Sequence, residues 1–323
     1  MNRKLFYFLK VAVTVFLIWL LFSKIDFLKF LKEIGSVKIS YFILAFFLML
    51  AVWLANTLRW KALLEIFDNK LSVFRLFLYN LSSIFYTTVL PGGKLAGDTV
   101  RAYQVSKDHQ GALHEKKRLF LLIFIDRAMG LLGLVLFLSF YFIFVFPAIN
   151  ILRPNSFFAG VLILLSSLFG ILLVFSDKLD WLIIFLKKMP WVLLRNFLTF
   201  VLDSLNICRV NKLKLLKSLM FSLISVFLSA LSVYAMAMGL GLAINYWTIA
   251  FINSLAVILI VIPITVGGIG LREGGIVYLL IQFGIDSTKA LALSVLNLSV
   301  MMILALVGGL IEIYFQFLNK KRY

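Results

Sequence analysis

A chain of 323 residues that is 63% hydrophobic and 14% charged, with a mean hydropathy of +1.06, is far more apolar than a soluble domain, in which about half the residues are apolar. The formal net charge of +18 would suit nucleic acid, but the lysines and arginines sit mainly in short loops between apolar runs. The positive-inside rule accounts for that placement, so no nucleic-acid partner is expected. Cys208 is the sole cysteine, which excludes an intrachain disulfide framework.

The chain therefore reads as a polytopic membrane protein, and the spans follow from length. A crossing helix needs about 20 mostly apolar residues. The first span covers residues 5–22; Asn2-Arg-Lys4 ahead of it gives the layout of a signal sequence, but the run ends in Phe22-Ser-Lys24 without a small-residue cleavage pattern, so it is read as retained. A link over 24–40 mixes Lys24, Lys29, Lys32 and Lys38 with Asp26 and Glu33. The second span runs from about Tyr41 to Asn56-Thr-Leu-Arg59, with Trp53 and Trp60 as interfacial anchors. Arg59 has two readings, a side chain snorkelling from a helix end or a cation facing a cavity.

Residues 71–90 are apolar and aromatic, yet carry Arg75 and Asn80, and run into Leu90-Pro-Gly-Gly-Lys-Leu-Ala-Gly-Asp-Thr-Val-Arg101. With basic loops on either side, over 61–70 and at Lys107, Lys116, Lys117 and Arg118, the stretch 71–105 would enter and leave on the cytoplasmic face as a re-entrant hairpin turned by Pro and Gly. The next span, 119–146, contains Asp126-Arg127. Neighbours on a helix point about 100° apart, so neither is the other's natural partner. The pair reads either as part of a buried ion pair that locks helices or as part of a polar pathway.

A short external connection over 147–156 leads to a span at 157–175. The connection 176–217 is the strongest cytoplasmic marker, with Lys178, Lys187, Lys188, Arg195, Arg209, Lys212, Lys214 and Lys217 against three aspartates. Within it Leu194, Phe197, Leu198, Val201 and Leu205 recur at helical spacing, the pattern of an amphipathic helix lying in the interface. A span at 219–238 and an uncharged external link precede residues 247–262, which reach the second glycine-rich break, Val261-Ile-Pro-Ile-Thr-Val-Gly-Gly-Ile-Gly-Leu-Arg-Glu-Gly-Gly275. Residues 276–283 are too short to span alone. The last span, 291–317, ends in Lys320-Lys-Arg322, so both termini are expected in the cytoplasm and 247–283 forms a second hairpin entering from outside.

The expected architecture is all-α, a single membrane-embedded domain over 1–323 with about six full spans and two re-entrant glycine-rich hairpins. Counting each hairpin arm as a span gives ten instead. The halves 1–146 and 157–323 are readable as an inverted repeat, although aligning Gly92-Gly93 with Gly267-Gly268 leaves the arginines out of register. Unwound backbone at membrane depth survives only in protein or beside water. In transporters built from inverted repeats, such breaks meet near the midplane and present N–H groups to an anion.

Asn56-Thr-Leu-Arg-Trp60, Leu90-Pro-Gly-Gly93 with Gly97-Asp98 and Arg101, Asp126-Arg127 with Gly130, and Pro263 with Val266-Gly-Gly-Ile-Gly-Leu-Arg-Glu273 span nearly the whole chain. In that order and spacing the chain resembles the transmembrane-region family of lysylphosphatidylglycerol synthases, flippase-like membrane proteins whose larger members include the multiple peptide resistance factor. The resemblance implies a membrane-embedded domain of the prokaryotic plasma (inner) membrane that moves or accommodates an anionic lipid between leaflets. In the larger members a separate soluble domain makes the aminoacylated lipid. This chain ends at Tyr323 without such an extension, so the synthase half is not expected here.

Residue chemistry fits the same division. Arginine grips phosphate with a planar, bidentate fork. Arg101, Arg127 and Arg272 are the first candidates for the headgroup, with Arg59 and Lys94 after them. Asp98, Asp126 and Glu273 would either hold those arginines or engage the amine of a zwitterionic or aminoacylated headgroup. Gly92, Gly93, Gly97, Gly267, Gly268 and Gly270 would let backbone approach the headgroup, whereas Gly308-Gly309 and 239–241 read equally as tight helix packing.

No cofactor is expected. His109 and His114 share one basic loop with no cysteine partner, so no metal site is expected either. No phosphate loop, zinc-protease motif or nucleophile elbow is present, and the chain is not expected to be an enzyme. A transferase using Asp98 or Glu273 as base, and a non-transporting scaffold or lipid-binding partner of a lipid-modifying enzyme, are the competing readings.

Overall fold

The computed structural model describes residues 3–23, 27–67, 71–90, 93–108, 116–145, 155–175, 211–261, 265 and 267–320, with positions 192, 195 and 199. Pro91, Gly92, Pro263, His109, His114 and nearly all of the expected amphipathic connector lie outside the described residues. Among those described there are eleven α-helices and no strand, as hydrocarbon demands of a chain whose backbone must satisfy itself.

Helix α1 (Arg3–Ser23), α2 (Phe27–Gly35), α3 (Ile39–Leu64), α4 (Val73–Val89) and α5 (Lys94–Asp108) precede the longer α6 (Lys116–Phe140). After α6 comes a π-helical turn, Tyr141–Val145. Then follow α7 (Asn155–Phe175), α8 (Lys212–Gly239), α9 (Tyr246–Val261), α10 (Leu271–Gln282) and α11 (Ser287–Lys320). Four segments are long and apolar enough to cross a membrane: Ile39–Phe67, Leu121–Val145, Lys212–Gly239 and Ser287–Phe317. Helices α1 and α7, of 21 residues each, also reach spanning length. By contrast α4, α5, α9 and α10, of 17, 15, 16 and 12 residues, fall short of it.

Three features go beyond the expectations. The link 24–40 contains an amphipathic helix, α2, whose buried face is centred on Phe30. Lys212, Lys214 and Lys217, read as the end of the connector, are the first turns of α8, where Lys214 donates to the Glu65 carbonyl. Both glycine breaks are shorter than their composition implied, because helix resumes at Lys94 and at Leu271. Beyond Gly93 and Gly270 no proline interrupts the i→i−4 ladder. Asp98, Arg101, Arg272 and Glu273 are therefore helical residues.

The chain divides into two compact units: residues 1–54, 74–105 and 227–323 in the first, and 55–73 and 106–226 in the second. Lipid tails are as apolar as leucine, so association inside each unit rests on close packing of small residues. In the first unit, α4 meets α11 where a Cβ on Gly308 would fall 2.1 Å from the Leu81 carbonyl oxygen. It meets α5 where a Cβ on Gly97 would fall 2.5 Å from the Ser83 carbonyl oxygen. In the second, Leu63, Leu121, Ile125, Met129, Leu132, Val174, Leu215 and Leu219 form a buried cluster. There α7 turns Leu162, Leu165, Phe169 and Leu172 outward, as a lipid-facing helix does.

Candidate functional site

The first unit holds both glycine breaks, and they touch. A Cβ on Gly93 would lie 3.6 Å from the Gly267 nitrogen, and one on Gly267 would lie 3.3 Å from the Thr87 carbonyl oxygen. Gly93, Gly267, Gly268 and Gly270 have φ of 53°, 63°, 80° and 86°, the left-handed region that disfavours a side chain. The turns thus need glycine for backbone reasons before any ligand is considered.

Gly270 caps α10, and Glu273 three residues on folds back over that end. Its Oε2 accepts from the Gly270 N–H at 2.7 Å. Its Oε1 accepts from Arg272 Nε at 2.9 Å and lies 2.7 Å from Nη2. Adjacent residues pair here because the carboxylate curls back to the open first turn, where the helix dipole also favours it. The Gly270 donor, expected to be offered to a ligand, is taken by Glu273. Arg272 keeps one donor group in hand, for Nη1 has no hydrogen bond among the described residues.

On the other side of the break, α5 carries a polar face. Arg101, 3% exposed, donates from Nη1 to Asn80 Oδ1 at 2.7 Å, and its Nη2 lies 3.2 Å from Asp98 Oδ1. One turn further, Gln104 Nε2 donates to Glu312 Oε2 at 2.8 Å and contacts Ser82 Oγ at 3.2 Å. The Ser82 hydroxyl donates to the same carboxylate at 2.7 Å. Lys94 is exposed at the start of α5. Asn80 stood out in the sequence only as a polar interruption of an apolar run, and Ser82, Gln104 and Glu312 did not stand out at all. Glu312 is the only acid within α11, and the rule that flagged the other intramembrane charges would have found it.

The second unit has its own buried pair. Arg59 grips Asp126 in a fork, Nε to Oδ1 at 2.8 Å and Nη2 to Oδ2 at 3.1 Å, with side chains 12% and 4% exposed. Arg59 therefore turns inward rather than snorkelling, and Asp126 pairs with it across to α3. Gly130, one turn past Asp126, makes room, since a Cβ there would lie 3.0 Å from Arg59 Nη1. Arg127 is half-buried on α6.

Apolar crossing helices, short helices broken at glycines, and arginine–carboxylate pairs buried among them define an integral membrane protein of the α-helical class. The chain matches the family described as the lysylphosphatidylglycerol synthase transmembrane region over residues 7–309. It belongs to that family, and with it to proteins of membrane lipid function. Among curated proteins, none matches the chain.

Proposed function

We propose that this chain translocates an anionic or aminoacylated phospholipid between the leaflets of a prokaryotic plasma membrane, with both termini in the cytoplasm. The helix pairs α4–α5 and α9–α10 act as re-entrant hairpins dipping from opposite faces, their short arms joined at the Gly93–Gly267 contact. A headgroup phosphate moving past that contact meets Arg272 first, then Arg101.

The observation that carries this reading is the state of Arg272. It is held in place by Glu273 at the mouth of a helix break, with Nη1 left to donate to a phosphate oxygen. Arginine has five N–H donors, so it can keep its carboxylate and still grip a second anion. The family's membrane lipid role supports the substrate class.

A second reading has its own support. Asp98, Asp126 and Glu273 each sit on an arginine, so the buried charge at each of these pairs is balanced, which suits a lipid-binding partner of a lipid-modifying enzyme as well as a transporter. Leaflet exchange in proteoliposomes separates the two. Fluorescent phosphatidylglycerol and its aminoacylated form are compared for wild type, Arg272→Gln and Arg101→Gln. Translocation requires exchange above empty vesicles, loss of rate in both variants, and lipid recovered chemically unchanged. Binding without exchange in well-folded protein favours the partner role, and altered lipid would indicate a transferase.

A further inference from the structure

Four carboxylates in the described helices lie in polar clusters, and three of them hold an arginine. Asp126 holds Arg59, Asp98 holds Arg101 and Glu273 holds Arg272. Glu312 does not. Its partners are the Ser82 hydroxyl and the Gln104 amide, and the Tyr86 hydroxyl faces the same carboxylate. Among the described residues no cation bonds it.

The kind of partner decides what such a group can do. Guanidinium only donates hydrogen bonds, so it offers no acceptor to the proton of a carboxylic acid. Serine, tyrosine and glutamine side chains donate and accept. They can serve a carboxylate as donors and, after a hydroxyl rotation or an amide turn, serve a carboxylic acid as acceptors. Gln104 faces the carboxylate with Nε2, and Oε1 of the same amide is buried with no hydrogen-bond partner, so turning the amide would bring an acceptor to Glu312 without breaking a bond at that oxygen. A charge in a membrane-crossing helix without a counter-ion is costly, and a bound proton removes that charge.

The other ionisable groups around it are spoken for or lie away. On α4, Tyr79 packs on Phe315 and accepts from Arg75 Nε at 3.0 Å. On α5, Arg101 is held by Asp98 and Asn80, and Lys107 is exposed. On α11, Tyr314 is exposed. Helix α2 also packs on α11, and none of its Lys29, Lys32 and Glu33 bonds Glu312. Helix α10 meets α11 at Ser294, which donates to the Glu273 carbonyl, about 27 Å back along the helix axis from Glu312.

We propose that Glu312 is a reversible proton-binding site that couples lipid movement to a proton gradient. The step is the transfer of one proton to Glu312 Oε, converting carboxylate to carboxylic acid, and its later release as a proton. Gln104 carries the change to the α5 face, since Arg101 is one turn away on the same helix. The coupling half of this inference rests on the translocation reading. The proton site itself does not.

Two measurements on the purified chain test them separately. Infrared difference spectra between alkaline and acidic buffer read a protonated-carboxyl C=O stretch whether or not lipid moves. One component of this band is expected in wild type, shifted in Glu312→Asp and missing from Glu312→Gln, an isosteric change checked by thermal melting; the other carboxyls contribute equally to all three spectra. That component absent from wild type, or a band unchanged in Glu312→Gln, overturns the proposal. So does a response to sodium or ammonium salts at fixed pH with no such component, which would place another cation there.

In proteoliposomes, one proton per lipid shifts the steady-state leaflet ratio about tenfold per unit of pH gradient. Glu312→Gln should abolish that shift while downhill exchange persists. A gradient response that survives in Glu312→Gln overturns the coupling. If wild type exchanges no lipid at all, the translocation reading falls and the infrared result still decides the proton site.

Discussion

Gly93 and Gly267 meet backbone to backbone, 3.6 Å from the position a Gly93 Cβ would take to the Gly267 nitrogen. Two segments separated by most of the chain are joined where neither has a side chain. A side chain on either must adopt a left-handed φ, at roughly 1–2 kcal/mol for an L-residue.

The two glycines should not respond equally. An alanine Cβ at Gly93 finds only ordinary contact distances, whereas at Gly267 it lies 3.3 Å from the Thr87 carbonyl oxygen and the backbone must shift. Gly267→Ala is therefore expected to lower the melting temperature in detergent more than Gly93→Ala. Equal losses would mean that the tips do not touch as described.

The adjacent glycines of α11 differ more sharply. At Gly308 a Cβ would lie 2.1 Å from a backbone oxygen, while at Gly309 it meets the ring of Phe85 at 3.0 Å. Gly308→Ala should force α4 and α11 apart and cut the yield of folded protein. Gly309→Ala should be accommodated by a ring rotation, with a small change in melting. Size-exclusion profiles of the two variants check this order.

Arg59 and Asp126 form a nearly water-free pair. Removing one member strands the other, so Arg59→Met or Asp126→Leu alone should destabilise by about 3–5 kcal/mol. The double variant should recover most of the loss, because it leaves no buried charge. Thermal melts of both singles and the double close the cycle; additive losses would show that the residues do not interact.

Glu273→Gln isolates the hold on Arg272. The amide oxygen can still accept from the Gly270 N–H, but the counter-charge is gone. Arg272 should then bind anionic headgroups several-fold more tightly and release them more slowly, so that binding to phosphatidylglycerol vesicles rises while exchange falls. A variant with exchange and binding both unchanged would place the phosphate elsewhere.

Much of the fold was readable from apolar run length, since α3, α6, α8 and α11 follow that signal directly. Both breaks were visible from Pro and Gly. Their true ends were not, because a glycine-rich stretch reads as unwound until a cap such as the Glu273–Gly270 bond restarts the helix. Partner choice was also hidden. Arg59 and Asp126 are 67 residues apart, and with one sequence nothing links them. Glu312 was overlooked for a different reason: it has no neighbouring arginine to draw attention, the nearby Gly308-Gly309 reads as helix packing, and among the described residues that same lack of a cation distinguishes it in the fold.

The length of α11 has a mechanical consequence. Its 34 residues extend about 51 Å, against a hydrocarbon core of about 30 Å, so it must tilt or project. It bears on α4 at Gly308, and a change of tilt would make that bearing a fulcrum. Ser294, bonded to the Glu273 carbonyl, lies about 21 Å along one arm of this lever. A rocking of about 5° would carry the Arg272 end of α10 by about 2 Å, the scale on which helices shift between working states. Bilayer thickness, by setting that tilt, becomes a control on the site itself.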